Sequence, residues 1–213
     1  HEVLRLGGGS SSSSSGIGRK FATPYYETAT STAIAIDGFV YHGAWMPRRW
    51  ENPVIVCFDV TSESISFIKA PMAAVVWGSN SILIEYKGKL ACIARQPYAK
   101  DGFAYFHGFH LWILEDLQKH DWSKQSFELP FSLGLDITSP GTNKAGEIIF
   151  APKYLSRNAQ PFYIFYYNLE RKDMRRVRLL GISDDEELRR VYGFQLQCRV
   201  YISPEHVETI ASI

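Results

Sequence analysis

The sequence predicts an all-β fold, a β-propeller-like array of four-stranded meanders with three full blades, partial blades at each end and two short helices near the C-terminus. Three observations carry this. Residues 34–71 read as four strands in a row: IAI and FVYHGAW meet at Asp37-Gly38, and NPVIVCFDV is separated from SISFIKA by a polar turn. The same order of parts returns twice, with Gly38, Gly88 and Gly146 at the first hairpin, 50 and 58 positions apart. Asp59, Asp116 and Asn168 close the third strand of each copy, 57 and 52 positions apart. A period of about 50 residues with four strands in it marks a propeller blade. Finally, each copy carries apolar residues on both faces, which a lone meander cannot bury, so neighbouring copies must stack.

Taken in order, residues 1–24 read as the second half of a blade. A strand over 1–6 and a fourth strand over 17–24 (IGRKFATP) are separated by a flexible Gly/Ser insertion at 7–16. That glycine run lacks the Lys-Ser/Thr ending of a phosphate loop. The three full units follow, the second carrying LWILED and SFELP, the third EIIFAP and FYIFYYN. After them SDDEELRR predicts a short helix with Ser183 as N-cap and Glu186 completing a capping box. Residues 191–202 alternate as one or two strands, and Ser203-Pro204-Glu205 opens a last helix. The first half blade and these last strands could join into one blade and close a four-bladed ring.

Composition narrows the function classes. The 213 residues are 46% hydrophobic and 14% aromatic, which suits a packed core. A formal charge of +1 gives no field for capturing nucleic acid, and no apolar run approaches the roughly 20 residues that span a bilayer. Cys57, Cys92 and Cys198 are odd in number, widely spaced and set in apolar runs, which predicts buried thiols in a reducing compartment, cytoplasmic or nuclear. No cofactor or metal is expected. His107, His110 and the nearby His120 read as loop histidines and not as metal ligands, since a metal needs convergent ligands and residues three apart on a strand point to opposite faces. Asp59, Asp116 and Asn168 recur at one structural place, where side-chain bonds to the backbone start turns. The basic run RKDMRRVR reads as an outer strand with a wet face, although a phosphate or acidic-peptide site there is a possible reading.

Function therefore falls to the loops. In a blade the first-to-second and third-to-fourth turns share one side, and here they are short. The second-to-third connections share the other side and are long and rich in aromatics and arginine: AWMPRRWENP, ARQPYAKDGFAYFHGF and KYLSRNAQP. Long loops on a rigid frame carry recognition, and Trp, Tyr and Arg dominate protein interfaces. The candidate partner-binding residues are Trp45, Arg48, Arg49, Trp50, Arg95, Tyr98 and Tyr105; the competing reading packs both tryptophans under their own loop and leaves the arginines solvated.

The ordered motifs LWILED with a downstream WS, and FYYN with a downstream RRV, together with DGFVYHGAW and LIEYKGKLACI, resemble the plant F-box-associated domain, type 3. The resemblance covers most of the chain. It implies a propeller-like domain that holds a protein for ubiquitination, and an F-box that binds the Skp-type adaptor of a Skp–cullin–F-box ubiquitin ligase. The F-box is missing from these residues, so adaptor binding would lie elsewhere. What is present resembles the C-terminal part of the interaction domain, and residues 1–213 are expected to form a single partial domain. The chain opens at His1 and not at Met, which suggests the later part of something longer. The expected function is a non-enzymatic recognition module; the rivals are a propeller enzyme acting on a sugar or ester, and a truncated relative acting only as a binding competitor.

Overall fold

The computed structural model of the chain describes residues 2–3, 19–20, 24–29, 33–48, 50–71, 75–77, 80–181, 183–194 and 198–204. The expected Gly/Ser insertion at 7–16 lies outside them. On either side of it β1 (Glu2–Val3) pairs antiparallel with β2 (Arg19–Lys20). These two strands pair only with each other, so among the described residues they do not join the C-terminal segment into a fourth blade.

Three antiparallel sheets follow, each a meander. In the first, β4 (Ile34–Ile36), β5 (Phe39–Met46), β6 (Asn52–Asp59) and β7 (Ser64–Lys69) pair in sequence order, and β3 (Glu27–Thr28) adds to the free part of β5. The second consists of β8 (Ser81–Tyr86), β9 (Lys89–Lys100), β10 (Phe103–Asp116) and β11 (Asp121–Gly134). The third consists of β12 (Ile137–Thr142), β13 (Ile148–Pro152), β14 (Phe162–Asn168) and β15 (Asp173–Leu179).

The repeat is visible in atoms. Asp59 Oδ1 accepts from the Thr61 and Ser62 amides at 2.8 and 3.2 Å, Asp116 Oδ1 from those of Gln118 and Lys119 at 2.9 Å each, and Asn168 Oδ1 from those of Glu170 and Arg171 at 3.0 and 2.9 Å. Four positions after each of these residues the backbone turns left-handed, at Glu63, His120 and Lys172, with φ of 52°, 54° and 54°. One turn design thus closes the third strand in all three units. The first hairpins agree less closely. Asp37-Gly38 and Lys87-Gly88 are two-residue turns with both φ values positive. In the third unit residues 143–147 form a wider loop in which Asn143 Oδ1 accepts from the Ala145 and Glu147 amides.

Stacking explains the apolar runs. Along VIVC in β6, Val54 and Val56 face a small outer cluster with Ala44, while Ile55 and Cys57 face the second sheet. Along LACI in β9, Leu90 and Cys92 face the first sheet, while Ala91 and Ile93 face the third. A strand sandwiched on both sides shows no alternation, as these do not. Between the second and third sheets Phe109 lies wholly buried against the rings of Phe127, Phe150 and Tyr167 at 5.4–5.6 Å. The innermost strands β4, β8 and β12 lie side by side. Arg95, beside the start of β8, bonds the Ile137 carbonyl at the start of β12, and Thr142 at the end of β12 meets the Glu85 carbonyl near the end of β8. Both strands therefore run the same way, and the sheets stack in one sense.

The C-terminal region departs from expectation. Among the described residues one helix, α1 (Glu186–Val191), is present, and Asp185 caps it through Leu188 N at 2.9 Å. Ser183, expected at that place, instead donates to the Leu179 carbonyl at 3.0 Å, because the chain is still leaving β15 there. The strands expected over 191–202 reduce to one bridge, Tyr154 to Arg199, among the described residues. The second helix would fall mostly on residues beyond 204, outside them. Among the described residues no helix is long and apolar enough to cross a membrane.

Candidate functional site

The β5–β6 connection is short. Met46 pairs with Asn52, so only residues 47–51 leave the ladder, and Asn52 Nδ2 donates to the Met46 carbonyl at 3.0 Å. Because β5 runs on through Met46, Trp45 keeps its strand phase with Tyr41 and faces the core between the first and second sheets, 4% exposed. It is not an exposed contact residue, contrary to expectation. Its ring lies 5.1 Å from that of Trp50, which caps the turn at φ 70° and stays 61% exposed. Arg48 is exposed beside it. Arg49, the remaining candidate of this loop, lies outside the described residues.

The longest expected loop, residues 94–109, is no loop. β9 and β10 stay paired to their ends at Lys100 and Phe103, and Asp101-Gly102 turns the chain with φ of 52° and 78°. This is the same Asp-Gly hairpin signal that marks 37–38; Pro97 and Gly108 masked it by interrupting the apolar alternation. The result is a hairpin arm, kinked by an irregularity in register between Phe106 and Phe109. A side chain at Gly108 would meet the Phe127 carbonyl oxygen at 2.8 Å, so glycine is required where the arm bends over β11.

The arm divides its candidates. Arg95 is 3% exposed, with its Nη1 donating to the carbonyls of Leu135 and Ile137 at 3.2 and 2.6 Å and its guanidinium over the Phe106 ring. Burial lowers its pKa to about 10 against the opposing pull of Asp136. Arg95 is thus a strut between the second and third sheets, not a contact for a partner. Tyr98 and Tyr105 face each other across the arm with ring centroids 6.0 Å apart, and both are half-buried. Tyr98 Oη donates to Ser132 Oγ at 2.6 Å, and His107 meets the Tyr98 ring edge-on at 5.4 Å. Phe103, on the same face of β10 as Tyr105 and 66% exposed, extends this aromatic surface to the tip. Neither Phe103 nor His107 is among the contact candidates the sequence offers, yet both follow from Tyr105 by counting in twos once the stretch is read as a strand.

The third connection, β13–β14, borders a cleft of about 540 Å³ between its residues 154–161 and Ser183. Among the described residues no three His, Cys, Asp or Glu side chains converge on a point that could hold a metal ion. Asp59 and Asp116 are occupied by their turns, and the bonds from Ser62 and Lys119 hold both carboxyls below the usual aspartate range.

Comparison with known proteins agrees with this architecture. Residues 1–207 match the F-box associated beta propeller domain. The chain is 53% identical over 194 residues to F-box protein At1g30790 of Arabidopsis thaliana, covering 88% of this chain and 47% of that protein. It is 35% identical over 190 residues to F-box protein DOR of the same plant, 86% of this chain and 43% of that one, and 32% identical over 215 residues to F-box protein At3g57590, 99% and 50%. The chain therefore spans about half the length of these relatives. With three meanders in one sense and a family match along nearly its whole length, the chain belongs to the F-box associated beta propeller family.

Proposed function

We propose that this chain is the substrate-recognition part of an F-box protein and holds a protein for ubiquitin transfer without catalysing a reaction itself. The whole protein would be about twice this length. Its F-box would bind the Skp-type adaptor of a Skp–cullin–F-box ligase, and the propeller would present the target. The observation that carries the reading is the aromatic arm: Tyr98, Phe103, Tyr105 and His107 occupy one face of a hairpin fixed at its root by Arg95. Amphipathic rings on a rigid support offer large contact area at small entropic cost. Trp50 and Arg48 sit on the corresponding connection of the first unit. Continuous cores from the first sheet through the third support reading residues 1–213 as one domain, and the buried thiols of Cys57 and Cys92 suit a reducing cytoplasmic or nuclear setting.

The test is affinity purification with mass spectrometry on the chain fused behind an F-box. The parent is compared with a variant carrying Trp50→Ala, Tyr98→Ala and Tyr105→Ala. The expected result is recovery of the adaptor with both proteins, and of a ubiquitinated target with the parent alone. Equal target recovery by both, with the variant folded, rejects the arm as the recognition surface.

A further inference from the structure

The cleft beside the β13–β14 connection has an exposed cation at its mouth, Arg157, and a buried one behind it, Arg189. Its apolar wall comes from Tyr154, Leu155, Pro161 and Phe162, and its polar edge from Arg157 and Gln160. Arg157 is exposed. Behind the wall, Arg189 of α1 is 5% exposed, and its Nη2 donates to the carbonyls of Ser156 and Arg157 at 2.6 and 3.1 Å. Both carbonyls belong to residues that line the cleft. Its Nη1 is buried with no hydrogen-bond partner among the described residues. Among the described residues this buried guanidinium is held by carbonyls, without the counter-charge that normally accompanies such burial.

Nearby acids do not supply it. Asp136, in the lining, lies within electrostatic range of two cations, Arg95 and Lys153, and Lys153 also feels Arg199. Asp184 is bound to Arg178 at 2.6 Å and to the Gly181 amide, and Asp185 caps α1. The lining itself carries one acid, Asp136, and one base, Arg157, and Asp136, Asp184 and Asp185 are already engaged with cations or with the cap of α1.

From this geometry we infer that the cleft takes a carboxylate side chain of a partner protein, an acidic residue flanked by apolar ones that rest on Tyr154 and Leu155. Arg157 and Gln160 would bond the carboxylate at the mouth, with the Arg189 charge behind them. The cleft lies on the same side of the propeller as the aromatic arm, so the inference rests on the reading that the chain holds a protein. It adds what that protein must carry.

The probes are three fluorescein-labelled peptides, Gly-Ser-Leu-X-Leu-Ser-Gly, with X as glutamate, glutamine or phosphoserine, titrated by anisotropy into the 213-residue chain. The expected result is binding of the glutamate peptide about tenfold tighter than the glutamine one, the scale of one charge-assisted hydrogen bond. Added salt should weaken it. Arg157→Ser, at an exposed position, should remove most of the preference, and Arg189→Met should reduce it further. If Arg189→Met fails to fold, Arg157→Ser combined with Gln160→Ala carries the test. Equal binding of glutamate and glutamine peptides, an unchanged preference in Arg157→Ser, or binding of the phosphoserine peptide alone would each overturn the carboxylate site. A clear glutamate preference in a chain whose F-box fusion yields no ubiquitinated target would support this site and reject the ligase reading, and the reverse pattern would separate them the other way.

Discussion

Gly43 lies directly beneath the indole of Trp77. A side-chain carbon built on Gly43 would come 2.5 Å from Trp77 Cδ2, and Trp77 Nε1 donates to the neighbouring Ala44 carbonyl at 3.0 Å. The contact joins the centre of β5 to the segment that enters the second sheet, and Trp77 is only 4% exposed. Gly43→Ala must push the indole off the strand and break that hydrogen bond. Overpacking of this kind costs about 1–3 kcal/mol. A melting temperature lower by several degrees, with a red-shifted tryptophan emission, is the expected outcome; an unchanged melt would show that the two sheets do not meet here.

Arg95 supports the next junction in a different way. Replacing it with Met keeps much of the volume over Phe106 but leaves the Leu135 and Ile137 carbonyls without their donor. Each orphaned buried acceptor costs about 1–3 kcal/mol, partly offset because a cation no longer has to be buried. A net loss of about 1–3 kcal/mol in denaturant unfolding is expected, at about 2–4 °C per kcal/mol in melting temperature. Arg95→Lys should fall between parent and Met, since its ammonium can still donate to the carbonyls but is a compact charge that cannot lie flat over Phe106 as the planar guanidinium does.

These two residues show what could be read from the chain and what could not. The three units were legible because their turn residues repeat: Asp59, Asp116 and Asn168 make the same backbone bonds, and such bonds depend only on neighbours a few positions away. The burial of Trp45 and Arg95 was not legible, because it depends on how far β5 and β9 continue before they turn. Each strand runs past the boundary that the sequence pattern suggests, and in each case the residue keeps its inward phase. The arm itself could have been found from Asp101-Gly102. The irregular register at Phe106–Phe109, where the arm bends over β11, has no local signal beyond Gly108. Ser183 lost the helix cap to Asp185 for a similar reason, since the end of β15 decides where the helix can begin.

Trp45 and Trp50 touch, yet they should respond oppositely to truncation. Trp45 is 4% exposed in the core between the first two sheets, and Trp50 is 61% exposed above it. Trp45→Ala opens a cavity and should cost about 3–5 kcal/mol, a large share of the stability of an ordinary domain. Trp50→Ala should shift the melt little and act on partner capture alone. Thermal melts of the two variants under the same conditions decide the matter, and a large loss of stability in Trp50→Ala would return that residue to the core.

His42 should make the fold sensitive to mild acid. It is half-buried on β5 next to the Tyr26 ring, its Nε2 is buried with no hydrogen-bond partner among the described residues, and burial holds its imidazole pKa below the ordinary 6.5. The unfolded chain takes up the proton near the ordinary value, whereas the folded chain does so only at lower pH. Between those two values the unfolded state binds more protons, so stability falls as pH drops through 6.5 and levels off once both states are charged. His110, lowered by burial and by Lys124, adds a contribution of the same sign. His42→Gln should therefore flatten the decline without abolishing it, measured as melting temperature at constant ionic strength from about pH 7.5 down to about pH 5.5. If parent and variant decline in parallel, the neutral imidazole of His42 is not what acid disturbs.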